Sequence, residues 1–377
     1  MSNRCGPEED AGTAIEHTAV RQLFGGTFGA PHTNRIYVPL PITASRDWGT
    51  REKTPMGSKQ MISELKPGKR VESYFSVNYK KPVSEYKYGF MFEFRVADKS
   101  GQITVKYWGG QSKESVQRLH DSFDRGDVVR IKGEVQEYRD QIEVSVSEKN
   151  GGTVSKLDAE GYDLSQLVRA YENIPEMKAR LLELADSVKD PHLAKLLASF
   201  FKNEEFMRSF SESTASITLH SAAVGGLLRH TLNVAELCLS VNDIHPELDR
   251  DLLLTGALLH DIGKIQSFRI TSNISQTEDG NLIGHIIIGD HELVNHMSAI
   301  EGFPETVALK LRHILLAHHG KKEWGSPVEP MFPEALAVHE ADDLDAKLDN
   351  MITRREEAVT EDDWIWDPRQ SRLIFLK

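Results

Sequence analysis

His260 and Asp261 stand side by side in the run Leu258-Leu259-His260-Asp261-Ile262-Gly263-Lys264, at the end of an apolar stretch that reads as a helix. Both side chains are costly to bury without a partner. A divalent metal satisfies both at once, because imidazole nitrogen and carboxylate oxygen are standard ligands for zinc, manganese, iron and nickel. Ligand-type residues recur at four further places in the C-terminal half: His230; His285; the pair His318-His319; and Asp342, Asp343 or Asp345. Singly, each has an ordinary explanation. His230 reads as a satisfied core histidine, the His318-His319 pair can sit on a helix C-terminal dipole, and the aspartates can form a solvated face. Together, in this order and beside the contiguous pair, they point to a metal centre built from facing helices. Gly263 and Gly320 follow the two pairs and read as helix C-caps, which puts both pairs at the mouth of a bundle.

The elements that must position these residues fall into two kinds. From residue 164 onward, period-3.6 apolar patterns predict helices over residues 164–171, 177–188, 193–201, 222–239, 252–259, 291–300, 304–317 and 333–352. Pro175, Pro191, Pro246, Pro304 and Pro333 fall near the starts of these runs. A short strand ends the chain at Leu373-Ile374-Phe375. Ahead of the helices the period changes to two. Strands are predicted at Val71 to Tyr79, Phe90 to Val96, Ile103 to Trp108, Val129 to Val135 and Ile142 to Val146, with a helix from Lys113 to Phe123. Five strands with a helix between the third and fourth is the layout of an OB-fold barrel, a common platform for single-stranded nucleic acid. The expected organisation is an irregular arm over 1–58, a barrel over 60–150, a linker over 151–163, a helical domain over 164–360 and a tail over 361–377. The fold class is α+β multidomain.

Composition narrows the setting. A chain of 377 residues is too long for one small domain. Its formal net charge of −12 argues against a protein coated in nucleic acid, yet residues 60–156 carry 17 Lys and Arg against 14 Asp and Glu. A mildly basic module is thus joined to an acidic one. Cys5 and Cys238 are far apart, which excludes a disulfide framework and fits a reducing cytoplasm. No stretch approaches a membrane span, and the N-terminus lacks a signal-peptide pattern.

The order first His, His-Asp pair, distal Asp resembles the HD superfamily of metal-dependent phosphohydrolases. That resemblance implies His230, His260, Asp261 and Asp342 as four ligands of one metal. It makes His285, His318 and His319 the extra ligands of two-metal members, with Asp261 as the bridge. Between the members of the pair, His318 is the preferred ligand and His319 a second ligand or a substrate contact. Asp345, one turn from Asp342, is expected to support a ligand, and His339 has no assigned role. The resemblance extends to the runs Gly225-Gly226-Leu227-Leu228-Arg229-His230-Thr231, Gly280-Asn281-Leu282-Ile283-Gly284-His285, His318-His319-Gly320-Lys321-Lys322-Glu323-Trp324-Gly325-Ser326-Pro327 and Asp345-Ala346-Lys347. These look like the YhaM-type 3′→5′ exoribonucleases, which carry an OB-fold ahead of an HD domain. It covers about residues 61–377 and leaves out the arm. The Gly-Tyr-Pro signature of HD-type cyclic-dinucleotide phosphodiesterases is absent.

What the resemblance implies is an enzyme: a metal-dependent exonuclease that shortens single-stranded RNA, with single-stranded DNA left open, by attack of metal-activated water. Two metal ions are expected, with manganese first among manganese, iron, nickel, cobalt, zinc and magnesium. Lys264, one turn beyond Asp261, would neutralise phosphoryl charge, and His319 or His285 would protonate the leaving oxygen. Arg229, Lys321 and Lys322 are candidate phosphate contacts. On the barrel, Lys106 and Trp108 face away from Ile103, Val105 and Tyr107, and with Tyr138 and Arg139 they form a candidate base-stacking platform. The competing readings are a nucleotide or cyclic-nucleotide phosphohydrolase with the same metal site, and an RNA-binding protein whose helical domain is structural. A homo-oligomer is compatible with all three.

Overall fold

A computed structural model describes residues 59–377 except 140, 218–221, 359, 361 and 368–370, so the arm expected over 1–58 lies outside the described residues. The barrel is built from β1 (Arg70–Lys80), β2 (Ser84–Tyr86), β3 (Gly89–Asp98), β4 (Gly101–Trp108), α1 (Lys113–Asp121), β5 (Val128–Tyr138), β6 (Gln141–Ser147) and β7 (Thr153–Leu157). Its strand order is β1-β3-β4-β6-β5, and β5 pairs back onto β1 to close it. The β4–β6 pair is parallel and the other pairs are antiparallel. This is the five-stranded OB-fold expected from the alternation. Phe92, Phe94 and Val96 point inward from β3, and Ile103, Val105 and Tyr107 from β4, to meet Phe75, Ile131 and Val144.

Two strands exceed the expectation. β2 extends the sheet beside β3. β7 pairs with β5 and buries Val154 in the barrel core, so the segment expected as a linker begins with a sheet strand. One inward valine in a five-residue strand is too short a pattern to show period two.

The helical half comprises α2 (Ile174–Asp186), α3 (Pro191–Phe201), α4 (Glu204–Glu212), α5 (Gly226–Ile244), α6 (Arg250–Leu259), α7 (Lys264–Ser267), β8 (Phe268–Ile270), β9 (Ile274–Gln276), α8 (Glu278–Leu282), α9 (His285–Ser298), α10 (Glu305–Ala317) and α11 (Pro333–Glu357). The hairpin β10 (Trp364–Asp367) and β11 (Arg372–Phe375) follows it. No helix among the described residues is long and apolar enough to cross a membrane. α6 is buried from Leu252 to Leu259 and forms the axis of the core, packed by α5, α10 and α11. The helix expected over 164–171 is not formed. Leu164–Gln166 make one 3-10 turn that Leu167 and Val168 carry into a bend, and Ala170 then bridges to Val224. Leu164, Leu167 and Val168 pack against Tyr74 and Val128 of the barrel, so their spacing reports an inter-domain cluster and not a helix stripe. The β8–β9 turn also reaches the barrel. Ser272 Oγ lies 3.0 Å from Ser76 Oγ and donates to the Gly126 carbonyl.

Candidate metal centre

α6 delivers His260 and Asp261 into the interior, both about 1% exposed. Gly263, expected as a C-cap, has a right-handed φ of −66° and caps nothing by left-handed geometry. It is needed because a Cβ there would lie 2.0 Å from the His285 carbonyl oxygen and 2.6 Å from the Gly289 nitrogen. This backbone approach holds the start of α9, and with it His285, beside the His-Asp pair. Gly320 does take the left-handed conformation (φ 79°), and a Cβ there would strike the His339 ring.

His230, His260, Asp261 and Asp342 each offer a ligand atom, all within 4.8 Å of one another. His230 Nε2 lies 3.0 Å from Asp342 Oδ1, 3.3 Å from Asp261 Oδ2 and 3.3 Å from His260 Nε2. Metal–ligand bonds of about 2.0–2.2 Å set neighbouring ligand atoms roughly 3.0–3.5 Å apart, so this spacing suits a cation. A second group, His285, His318 and His319, meets the same 4.8 Å limit. His285 Nε2 and His318 Nε2 lie 3.6 and 3.5 Å from Asp261 Oδ1. Asp261 therefore turns Oδ2 to one group and Oδ1 to the other.

Hydrogen bonds fix which imidazole nitrogen is free. Carbonyl oxygens only accept, so Nδ1–H must donate in each of the following contacts. His260 donates to Ala257 O at 2.8 Å, His318 to Leu315 O at 2.7 Å and His319 to Trp324 O at 2.9 Å. His230 Nδ1 lies 2.7 Å from Asp345 Oδ2, whose other oxygen accepts from the Asn233 amide. Each ring then aims Nε2 at the cluster, the pattern by which metal-binding histidines are oriented. Asp261 Oδ1, His285 Nε2 and His318 Nε2 are buried and lack any hydrogen-bond partner. Buried polar atoms rarely stay unpaired, and three such atoms facing one another fit a bound cation.

The electrostatics agree. Burial alone would raise the Asp261 carboxyl, but Lys264 and His260 hold it well below the usual carboxylate range. Asp342 is likewise held low, chiefly by its hydrogen bond to His230, against burial. Burial lowers His230, yet Asp261, Asp342 and Asp345 outweigh it and hold the ring well above its ordinary value. Burial pushes His285 well down, and burial with the neighbouring His318 pushes His319 down to about 4. Three carboxylates crowded on one imidazole call for positive charge. In the second group, His285 and His319 are thus held neutral and ready to coordinate.

The HD domain family matches residues 227–347, and the family described as OB-fold nucleic acid binding domain matches residues 83–150. The 3′-5′ exoribonuclease YhaM of Bacillus subtilis (strain 168) is 33% identical over 262 residues, covering 70% of this chain and 80% of that protein. This chain belongs to the YhaM family of 3′-5′ exoribonucleases. The YhaM of Halalkalibacterium halodurans is 30% identical over 295 residues, covering 78% of this chain and 88% of that one. Among solved structures, Schizosaccharomyces pombe Pot1pC bound to single-stranded DNA matches at 14% identity with a TM-score of 0.22, covering 28% of this chain and 91% of that chain. A score that low carries no argument.

Within this YhaM-family chain, the remaining expected residues are placed unevenly. Lys264 Nζ lies 2.6 Å from Asp261 Oδ2 and lines the cleft above the cluster. Arg229 is turned to the Tyr171 hydroxyl at 2.5 Å and to Asp349 at 3.5 Å, and it does not line the cleft. Lys321 sits 4.4 Å over the Trp324 ring, and Lys322 opens the short turn ending at Trp324. His319 is poorly suited to protonate a leaving oxygen, because its ring is neutral and its one N–H is committed to Trp324 O. Asp343 pairs with Lys347. On the barrel, Lys106 pairs with Glu143 at 2.6 Å and lies 4.6 Å over the Tyr138 ring, with Arg139 at 5.2 Å from the same ring. Trp108 packs edge-on to Tyr86.

Three contributors were not foreseen. His339 donates to the His318 carbonyl at 2.8 Å and so holds the backbone of a candidate ligand. Asn233, one turn after His230, holds Asp345; its spacing on α5 is the signal that could have found it. Trp324 lines the cleft, and nothing local in the sequence gives that position.

Proposed function

We propose that this chain is a metal-dependent 3′-5′ exoribonuclease whose chemistry is carried by His230, His260, Asp261 and Asp342 on one divalent ion and by Asp261, His285, His318 and His319 on a second. The observation that carries it is the trio of orphaned atoms, Asp261 Oδ1, His285 Nε2 and His318 Nε2, beside the first ligand group. Bound there, divalent cations would lower the pKa of water toward about 7 and draw charge from the phosphoryl oxygens.

The chain's own groups do the rest. Asp261 ties the two ligand groups together through its two oxygens. Asp345 and the carbonyls of Ala257, Leu315 and Trp324 fix the ring orientations, and His339 holds the His318 backbone. Lys264, the sole Lys or Arg among the described residues lining the cleft, is in place to hydrogen-bond a non-bridging phosphoryl oxygen once Asp261 Oδ2 is engaged elsewhere. A water oxygen bonds to phosphorus while the bond from phosphorus to the upstream 3′ oxygen breaks. The products are a nucleoside 5′-monophosphate and an RNA one residue shorter. The upstream strand is held on the outer face of β3 and β4, the part of an OB-fold that takes oligonucleotides, with Tyr138 and Trp108 as stacking surfaces. Manganese is the metal to try first.

The test uses 5′-labelled single-stranded RNA and a panel of divalent metals. A ladder of shortening products that a chelator abolishes is expected, and none from the protein carrying His260→Ala and Asp261→Ala. Undiminished shortening by that double variant refutes the assignment. Activity confined to mononucleotides replaces it with the nucleotide phosphohydrolase reading.

A further inference from the structure

The cleft above the ligand cluster has a volume of about 290 Å³ and is lined by His230, Lys264, His319, Asp342 and, from a separate turn, Trp324. Trp324 is 44% exposed, so it fills no core. What the fold holds firmly is its backbone: its carbonyl accepts from His319 Nδ1, and Gly325 closes the turn in a left-handed conformation (φ 100°). Trp324 lines the cleft, its ring 6.3 Å from that of His339, with the Lys321 and Lys347 ammonium groups 4.4 and 5.9 Å from the indole. An exposed indole, tethered through its backbone to a candidate metal ligand and bordered by cations, is the arrangement that takes a nucleobase beside its phosphate.

Resting on the exoribonuclease reading, we propose that Trp324 stacks on the base of the 3′-terminal nucleotide and so sets its 5′-phosphate over the metal centre. The cleft lies at the small end of ligand pockets and suits one nucleotide, which selects the terminal residue over its upstream neighbour. Exposed cation–π contacts are worth less than base–aromatic stacking. An arriving base therefore displaces Lys321 from the ring, and the freed ammonium is left close to the phosphate. Every base has a π-face, so this contact registers the strand end without reading sequence. Asp342, Asp343 and Asp349 also line the cleft, and its other rings, His230, His319 and His339, are less exposed than the indole. The indole is thus the most exposed ring on which a base can stack there.

The role is separable from folding, since Trp324→Ala retains the carbonyl that orients His319. The experiment compares single-turnover cleavage of three RNAs: intact, abasic at the 3′-terminal residue, and abasic at the penultimate residue. Each is cut by the metal-loaded wild type, by Trp324→Ala and by Trp324→Phe. Failure of the wild type to shorten intact RNA refutes the exoribonuclease reading itself, before any variant is compared. Given that activity, Trp324→Ala is expected to lower kcat/KM on intact RNA about 5- to 150-fold, the alanine cost of one stacked base. Trp324→Phe should recover most of it. Terminal abasic RNA should slow the wild type by a similar factor and be cut equally by wild type and Trp324→Ala. Losses that multiply, an effect that moves to the penultimate abasic site, no loss at all, or a loss that tracks reduced metal content each overturn the proposal.

Discussion

Replacing Asp345 by alanine tests whether the proposed centre depends on how its histidines are held. Asp345 touches no substrate in the proposed scheme and is not itself a proposed ligand. Its Oδ2 accepts from His230 Nδ1 at 2.7 Å and its Oδ1 accepts from Asn233 at 2.8 Å. Two routes give the expected size. A hydrogen bond to a charged group contributes about 1.5–3 kcal/mol. Loss of a group that orients a metal-bound histidine lowers affinity about 10- to 100-fold, or ~1.4–2.7 kcal/mol at 1.36 kcal/mol per tenfold. The routes agree, so a tenfold or greater loss of metal affinity is expected, with activity recovering when metal is raised to saturation.

The pH dependence sharpens the test. In the metal-free chain, burial lowers the His230 imidazole, but Asp261, Asp342 and Asp345 hold it well above its ordinary value. Its folded pKa is raised, so below that pKa a metal must displace a proton and apparent affinity falls with falling pH. Without Asp345 one of the three carboxylates retaining that proton is gone, and the variant loses the proton at lower pH. The variant's deficit is therefore greatest at the alkaline end, where neither protein is protonated, and shrinks as pH falls. Titration calorimetry of Mn²⁺ into chelator-stripped protein at stepped pH reads this directly. A deficit below about threefold, or one that grows as pH falls, refutes the reasoning.

Gly263→Ala puts a Cβ against two backbone atoms that cannot swing away; overpacking of this kind costs about 1–3 kcal/mol, so the melting temperature should drop, and an unchanged melt would mean that α9 can move aside. Tyr138→Ala removes a ring that is 52% exposed and carries no core packing, so stability should hold while fluorescence anisotropy shows single-stranded RNA binding weakened by about 1–3 kcal/mol. Equal affinity would place the strand elsewhere on the barrel.

Much of the centre was legible because its residue types have no cheap alternative indoors. A histidine followed by an aspartate after eight buried positions of α6 calls for a partner, and Asp345 could be given a supporting role from its one-turn offset to Asp342. Other features were not legible because one letter serves two physical ends. Glycine after a helix marks a left-handed cap or a close backbone approach; Gly320 does the first and Gly263 the second. Apolar spacing over 164–171 is the same for a helix stripe and for a cluster facing two domains. The surroundings of Arg229 were hidden for a related reason: its contact with Tyr171 depends on a residue 58 positions away.

The remaining step concerns how a barrel and a helical domain act on one strand. Asp261 is followed directly by α7 and the β8–β9 hairpin, and the tip of that hairpin meets the barrel at Ser76, Gly126 and Asn78. Ser272 at the barrel contact lies only eleven positions beyond the proposed bridging carboxylate. Backbone tied at both ends of so short a segment leaves little slack between them. The barrel surface and the cleft are thus joined by the segment that carries the proposed bridging ligand. A strand gripped on the barrel can then present one end, and one nucleotide, to a cleft that admits little more. On this reasoning exonucleolytic action needs no separate measuring device, and loosening the Ser272 contact should blur the size of the released product before it slows the cut.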